Sequence, residues 1–478
     1  MLSTVPRLRI APSPTGDPHI GTAYMALFDY AFARQNGGDF VLRIEDTDRA
    51  RYSETSEQGI FNALHWLGLN WDEGPDIGGP YEPYRQSERL PIYAEYAHKL
   101  VEDGHAYYCF CTRERLEEMR KAQAAAKQPP KYDRLCLRLD PATVQSNLES
   151  GVPRVIRLKM PDTGMTTFTD LVRGPVSFQN DLQDDPVLLK ADGFPTYHLA
   201  VVVDDYLMRI THIVRGEEWI SSTPKHVVLY HAFGWEPPYF IHMPLMRNAD
   251  KSKISKRKNN TSLNWYREQG FLPAALLNYL ALQGWSMPDG RETFSLEEFI
   301  AAFTWDRVVA GEPIFDIKRL DDLNGQYIRM LSVDELVDAL RPFTPDGADP
   351  AMVRAVVPLV QTRINRLSEF PVMAGYFFHE PEYETVTLVE KNLGPDGSRA
   401  LLQQVYELCT HIDDWTHTTL EQNFRALAES AGVKMRQLAE VARVPITGSK
   451  AGPPLFESME LLGRETCLMR IARALERK

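Results

Sequence analysis

The chain has 478 residues, 44% of them hydrophobic, a formal net charge of −12 and five cysteines. That length supports several domains with real cores, and the negative charge excludes indiscriminate coating of nucleic acid, so any polyanion must be met by a local basic patch. No stretch approaches the ~20 apolar residues of a membrane span, MLSTVPRLRI lacks an apolar signal core, and an odd number of cysteines fits reduced thiols, so a cytoplasmic protein is expected.

Leu8 and Ile10 mark a short first strand, and Pro12, Pro14, Gly16 and Pro18 mark a loop. Ile20, Ala23, Tyr24, Leu27, Phe28, Ala31 and Phe32 then keep one apolar face at helical spacing until Asn36, Gly37 and Gly38 stop the helix. His19 thus stands at a helix N-terminus, where unpaired N–H groups attract phosphate. Gly21 leaves room for a flat ring or a phosphate against the backbone, and His19 can donate to an oxygen that gains charge during phosphoryl or nucleotidyl transfer. Taken alone, the same histidine would only cap the helix.

Phe40, Leu42 and Ile44 alternate as a second strand that ends in Glu45, Asp46 and Asp48. Strand, helix, strand begins a parallel sheet, whose ligands bind at the carboxyl ends of the strands, where both the His19 loop and the acidic cluster fall. One of these carboxylates could grip an ammonium group; the alternative is a solvated turn paired with Arg49 and Arg51. Ser53 to His105 reads as helical, with Ile60, Leu64 and Leu67 on one helix, Tyr93, Tyr96 and Leu100 on another, and GLNWDEGPDIGGP between them.

From about Tyr107 to Leu189 an insertion is expected. It holds a polar helix from Arg113 to Lys127, a break at Pro129 and Pro130, and strand-like VPRVIRLKM and DLVRGPVSF. Within it lie Cys109, Cys111 and Cys136. A structural zinc site closes with four ligands; Arg138 cannot serve, and His105 and Tyr132 are makeshift, so no zinc is expected.

The sheet resumes in FPTYHLAVVVDDYLMRITHIVRGEEW, with LAVVV and ITHIV read as buried parallel strands. Tyr197 and His198 would precede the first, and Arg215, Glu217 and Glu218 would follow the second. A guanidinium binds a carboxylate bidentately, which makes Arg215 the candidate for a substrate charge unless it pairs with Glu217 or Glu218. After the strand-like FIHMPLM, the segment RNADKSKISKRK sets Arg247, Lys251, Lys253, Lys256, Arg257 and Lys258 against Asp250, a loop that could close over phosphates. From Thr261 onward the pattern is helical, and beyond Ser332 helix-like segments alternate with PFTPDGADP, LGPDGS, PITGSK and AGPP, giving one or two helical domains.

His19-Ile20-Gly21-Thr22 and Lys253-Ile254-Ser255-Lys256-Arg257, in this order, match the paired signature of class I aminoacyl-tRNA synthetases. With RIAPSPTGDPHIGTAY, RIEDTD, PTYHLAVVVDD, IVRGEEW, HMPL, FDIKRLDDLNGQYI and LLGRETCLMRIARAL, the chain resembles bacterial glutamyl-tRNA synthetases over nearly its whole length. The resemblance implies an α/β fold with a Rossmann-type parallel-sheet catalytic domain in two halves (1–106 and 191–252) around an inserted α+β acceptor-end-binding domain (107–190). The KISKR loop and stem-contact helices (253–328) and two all-α anticodon-binding domains (329–385 and 386–478) would follow.

It further implies activation of L-glutamate by ATP with Mg²⁺ and transfer of the glutamyl group to the 3′-terminal adenosine of the glutamate tRNA, by a monomer. On the matching positions, His19, Lys253 and Lys256 would stabilise the phosphates, and Arg9, Ser13, Glu45, Tyr197 and Arg215 would hold glutamate. Thr15, Gly21, Glu218 and Leu245 would join them around ATP. Arg363 in QTRINRLSEF would read the third anticodon base, which implies an enzyme that spares the glutamine tRNA. Two positions depart from the pattern: Val201 stands where some relatives carry asparagine near the substrate, and Arg138 where zinc-binding relatives carry histidine. The competing readings are a non-discriminating enzyme that also charges the glutamine tRNA, an inactive tRNA-binding module, and either a related nucleotidyltransferase acting on a small acid without tRNA or a shortened paralogue that modifies a tRNA base.

Overall fold

A computed structural model of the chain describes residues 5–252, 254 and 260–477. The chain divides into two compact units, Met1–Trp265 with Leu276–Asp316, and Tyr266–Ala275 with Ile317–Lys478.

The first unit is built on β1 (Arg7–Ile10), α1 (Ile20–Gln35) and β2 (Asp39–Leu42), with β1 and β2 parallel and Ile10 opposite Leu42. Every residue of β1 is buried, as expected for a strand covered on both faces. α1 is more enclosed than one apolar face requires: Ala26, Asp29 and Ala33 are buried too, and Phe28 meets Phe299 and Phe303 edge-on at 5.7 and 5.5 Å.

After α2 (Glu54–Trp66) and α3 (Leu90–Glu102) come β3 (Ala106–Cys109), α4 (Arg113–Ala125), α5 (Pro141–Glu149), β4 (Val155–Leu158), β5 (Met165–Asp170), β6 (Gly174–Gln179) and β7 (Val187–Leu189). β3, β4 and β7 form a small antiparallel sheet. DLVRGPVSF is not one strand but the corner of the β5–β6 hairpin. Asp170 Oδ1 accepts from the amides of Val172 and Arg173, each at 2.9 Å, and Gly174 at φ 73° takes the backbone through the left-handed region.

The LAVVV run is likewise no strand: it is the centre of α6 (Tyr197–Leu207). A short apolar run cannot distinguish a strand from a helix buried on all sides, and Leu199 to Val203 are all buried here. The helical winding also delivers Asp204 and Asp205 to different partners, Asp204 to Arg89 and Tyr93, Asp205 to Arg9 and Arg43. β8 (His212–Gly216), α7 (Thr223–Ala232) and β9 (Tyr239–Met243) follow, with β8 and β9 parallel and β5 parallel to β9 at Asp170–Phe240. β1 runs beside β8, the Thr211 amide donating to the Arg7 carbonyl at 2.9 Å. The order is therefore β2, β1, β8, β9, β5, β6. From the centre the chain winds outward one way through α1 and the other way through α7, leaving a topological switch point at the carboxyl ends of β1 and β8.

The second unit is helical. Helices Ile317–Met330, Val333–Leu340 and Pro350–Val360 share a core around Ile328, Leu336, Val357 and Val360. A second core gathers Leu402, Phe424, Leu438 and Ile471 from helices Gly394–Thr410, His417–Ser430, Met435–Thr447 and Arg464–Glu476. Among the described residues no helix is long and apolar enough to cross a membrane.

Candidate active site

A cavity of about 600 Å³ opens at the switch point. Its walls come from separate stretches: Arg9 of β1, Ser13 of the following loop, His19 and Gly21 at the head of α1, Glu45 past β2, Tyr197 at the start of α6, Arg215 of β8, then Glu218 and Leu245. Among the described candidates for the small-molecule site, Thr15 does not line it; it lies exposed in the loop, its amide bonded to Ser13 O at 2.9 Å. Lys253 and Lys256 lie outside the described residues. Ile254 borders the cavity, and beyond the basic segment the chain pairs with the turn before α1, Ile20 N donating to Thr261 O at 2.8 Å and Leu263 N to Pro18 O at 2.9 Å.

His19 both caps and faces the cavity. Its backbone is extended (φ −87°, ψ 143°), and its Nδ1 accepts from the Gly21 amide at 2.9 Å, an N-cap bond to the second helical residue. A neutral ring accepting at Nδ1 carries its proton on Nε2, which makes that nitrogen a donor. The bond also explains Gly21: a Cβ there would stand 3.0 Å from Nδ1.

Beneath the cavity floor, Arg43 is fully buried and Asp205 bridges it to Arg9, with contacts of 2.7 Å to Arg43 and 2.9 and 3.3 Å to Arg9. Burial opposes the charge on Asp205, but Arg43 and Arg9 outweigh it and hold its carboxyl below the usual range. Glu45 accepts from Arg43 Nη2 at 3.2 Å, and burial pushes its pKa up against the pull of Arg43 and Arg9. The three acidic residues of the cluster separate by role. Asp46 accepts from Ser87 and pairs with Arg49, Asp48 pairs with Arg51, and Glu45 reaches the cavity. Arg43 and Asp205 were not singled out from sequence, although a charge inside a buried strand and an acid closing an apolar run were both visible.

Arg215 pairs with neither neighbouring glutamate. Glu217 accepts from Arg173 at 2.6 Å and lies 3.5 Å from Arg247, while Glu218 folds back against Gly216, where a Cβ would stand 2.1 Å from its Oε2. Among the described residues Arg215 has no ion pair, and it is buried. Val201, by contrast, lies in the core on α6 and does not border the cavity.

Two predicted features stand elsewhere. In the insertion, the sulfurs of Cys109, Cys111 and Cys136 lie within 4.8 Å of one another, and the Tyr132 hydroxyl is 3.4 Å from Cys109 Sγ and 3.2 Å from Cys111 Sγ. Of the two makeshift ligands the sequence offered, Tyr132 is the one that stands against the thiols, and the four groups fit a tetrahedral divalent ion. In the second unit, Arg363 is exposed on the turn after helix Pro350–Val360, not on a helix, and its charge bears on Arg443.

Residues 6–322 match the family described as tRNA synthetases class I (E and Q), catalytic domain, and residues 335–475 match the anticodon binding domain. The chain is 52% identical to the glutamate–tRNA ligase of Acidothermus cellulolyticus over 98% of this chain and 95% of that protein. It is 51% identical to the glutamate–tRNA ligase of Thermus thermophilus over 98% and 99% respectively. The crystal structure of a glutamate tRNA ligase from Elizabethkingia meningosepticum, in complex with its amino acid, superposes with a TM-score of 0.87 at 34% identity, covering 99% of each chain.

Proposed function

The chain belongs to the glutamate–tRNA ligases of the class I aminoacyl-tRNA synthetases, and from that premise we propose that the cavity at the switch point is where glutamate and ATP meet. The enzyme uses ATP, which carries Mg²⁺, to activate L-glutamate before the glutamyl group passes to tRNA. The observation that carries the site assignment is convergence: residues of β1, α1, α6 and β8 and of the segment just past β2, matched to their sequence motifs, face one cavity.

In this reading Glu45 grips the ammonium group of glutamate, Arg215 and Tyr197 take its side-chain carboxylate, and Arg9 and Ser13 complete the pocket. ATP lies across the head of α1 by Gly21, with Glu218 and Leu245 around it and Thr15 assigned to it from its motif alone. The α-carboxylate oxygen attacks the α-phosphorus as the bond to pyrophosphate breaks. The chain has little covalent work to do in that step, so positioning and charge stabilisation carry it. His19 Nε2–H donates to the phosphate oxygens that gain charge, and Lys253 and Lys256 are assigned the same role from their motif. A hydroxyl of the terminal adenosine then attacks the glutamyl carbonyl and releases AMP.

Residues 107–190 would receive the acceptor end and 253–328 the stem, with 329–385 and 386–478 reading the anticodon. Selectivity between tRNAs is assigned to Arg363. Its like-charge neighbour Arg443 makes the turn a place that gains from an anion, and a long donor there favours one base edge over another. Charging purified glutamate and glutamine tRNAs separately with labelled glutamate is expected to succeed with the first alone. Arg363→Gln is expected to shift that preference by about tenfold or more toward the glutamine tRNA. Equal charging of both tRNAs by the parent enzyme would favour the non-discriminating reading, and an unchanged preference in the variant would remove Arg363 from it.

Cys109, Cys111, Cys136 and Tyr132 would together hold a structural ion such as zinc, which would fasten the end of β3 to the turn at 132–136. Elemental analysis of the purified protein is expected to find about one zinc per chain, lost in Cys136→Ser. A metal-free parent protein would leave the four groups as a hydrogen-bonded cluster.

A further inference from the structure

Every polar group touching the Arg215 guanidinium is uncharged. Nε donates to His242 Nε2 at 3.0 Å, Nη1 to His226 Nδ1 at 3.2 Å and to Tyr197 Oη at 3.3 Å, and Nη2 to Thr223 Oγ1 at 2.7 Å. The other two arginines at the pocket, Arg9 and Arg43, are both compensated by Asp205.

An imidazole accepts only at a nitrogen that lacks a proton, so each histidine must be held in one tautomer. His242 Nδ1 lies 2.6 Å from Asp170 Oδ2, which keeps the proton on Nδ1 and the lone pair on Nε2 toward Arg215. Asp170 is itself fixed, its carboxylate accepting from the amides of Val172, Arg173 and His242 at the β5–β6 corner. On the other side His226 Nε2 lies 3.1 Å from His198 Nδ1, so His226 donates to His198 and presents its Nδ1 lone pair to Arg215. His242 is 0% and His226 1% exposed, so water offers neither ring a substitute partner.

We propose that the pairs Asp170–His242 and His198–His226 are positioning residues for amino-acid specificity: they fix the Arg215 guanidinium with neutral acceptors only, so that its charge is answered by the side-chain carboxylate of glutamate. This rests on the reading of the cavity as the glutamate pocket. Glutamate and glutamine are close to isosteric, and only an uncompensated charge separates them well. A protein carboxylate in the place of either ring would orient Arg215 equally well and neutralise it, and the pocket would then take the neutral amide almost as readily. Burial, with Arg215 alongside, drives His226 well below the usual histidine range; burial also lowers His242 despite Asp170, so both rings stay neutral. The arrangement couples the hairpin corner to the pocket, because Asp170 reaches Arg215 through one ring.

The test compares His226→Gln, His226→Glu and Arg215→Gln in tRNA-dependent pyrophosphate exchange. His226→Gln keeps an acceptor and is expected to leave the glutamate KM within about threefold. His226→Glu places a carboxylate beside Arg215 and is expected to raise the glutamate KM by ~10²-fold, with the ATP KM and the affinity for tRNA held, and to narrow the glutamate-to-glutamine ratio of kcat/KM by a similar factor. Equal losses in the Gln and Glu variants would reduce His226 to packing and overturn the proposal. A normal glutamate KM in His226→Glu alone would also overturn it, whereas a normal KM in Arg215→Gln would instead overturn the pocket assignment. Should the Glu variant fail to fold, ¹⁵N NMR of histidine-labelled parent enzyme, assigned with His226→Gln and His242→Gln, reads the tautomers directly. A protonated Nδ1 on His242 and an unprotonated Nδ1 on His226 are expected; the reverse on either ring overturns the proposal.

Discussion

Arg215→Gln is expected to lower kcat/KM for glutamate by ~10³-fold or more, about 4 kcal/mol of transition-state stabilisation, while the ATP KM holds. The size follows from what the variant leaves behind. The substrate carboxylate would enter a pocket that has lost its uncompensated cation, and the acceptors on His226, His242 and Thr223 would face an amide with fewer donors than the guanidinium they now serve. Stability should move the other way. A buried guanidinium with no carboxylate partner carries a desolvation cost that the fold bears for the sake of the site, so removing the charge should leave the melting temperature unchanged or raised. That combination separates loss of function from loss of structure. Pyrophosphate exchange with tRNA present, alongside a thermal melt, measures both; glutamate kinetics within threefold of the parent would place the specificity pocket elsewhere.

The centre of the sheet was legible because its strands and the first helix carry regular periodicity and end in residues with one chemical use. The His19 turn, the end of β2 and the end of β8 fall where a parallel sheet puts its ligands, and the structure brings them to one cavity. What escaped the sequence was mostly three-dimensional pairing. Arg43 reads as a misplaced charge in an apolar strand until Asp205, on the helix that starts at Tyr197, is seen beside it. LAVVV was misread because apolarity reports burial and not winding, while the neighbouring ITHIV run, equally apolar, is a strand from His212. Glu45, Asp46 and Asp48 were indistinguishable as letters; the amide of Ser87 selects Asp46 for structure and leaves Glu45 toward the ligand. Tyr132 lies four residues before Cys136, but its hydroxyl meets the thiols only because the turn folds back over them, and its amide-side contact at Cys136 N, 3.0 Å from the hydroxyl, belongs to that fold. His226 belongs to no motif and His242 opens HMPL without an evident use there, and the role of both rests on which nitrogen faces Arg215.

The second large effect is expected at His19, where capping and catalysis share one ring and can be pulled apart. His19→Ala removes the Nδ1 acceptor from the Gly21 amide, which costs about 1 kcal/mol of stability as for other N-caps, and removes the Nε2 donor, which should slow adenylate formation by ~10²–10³-fold. His19→Asn is the informative partner. Asparagine is among the best N-cap residues, so its side-chain oxygen should take the Gly21 amide and return the melting temperature to that of the parent. Its amide nitrogen sits on a shorter arm than imidazole Nε2 and should not reach the same oxygen of the reacting phosphate, so the rate should stay low. Single-turnover formation of glutamyl-adenylate with tRNA present, measured beside the melt, gives the split: stability restored with the rate still depressed assigns the ring to the phosphate, whereas a rate that recovers with the cap makes His19 the end of a helix and moves the charge stabilisation onto the backbone amides of α1.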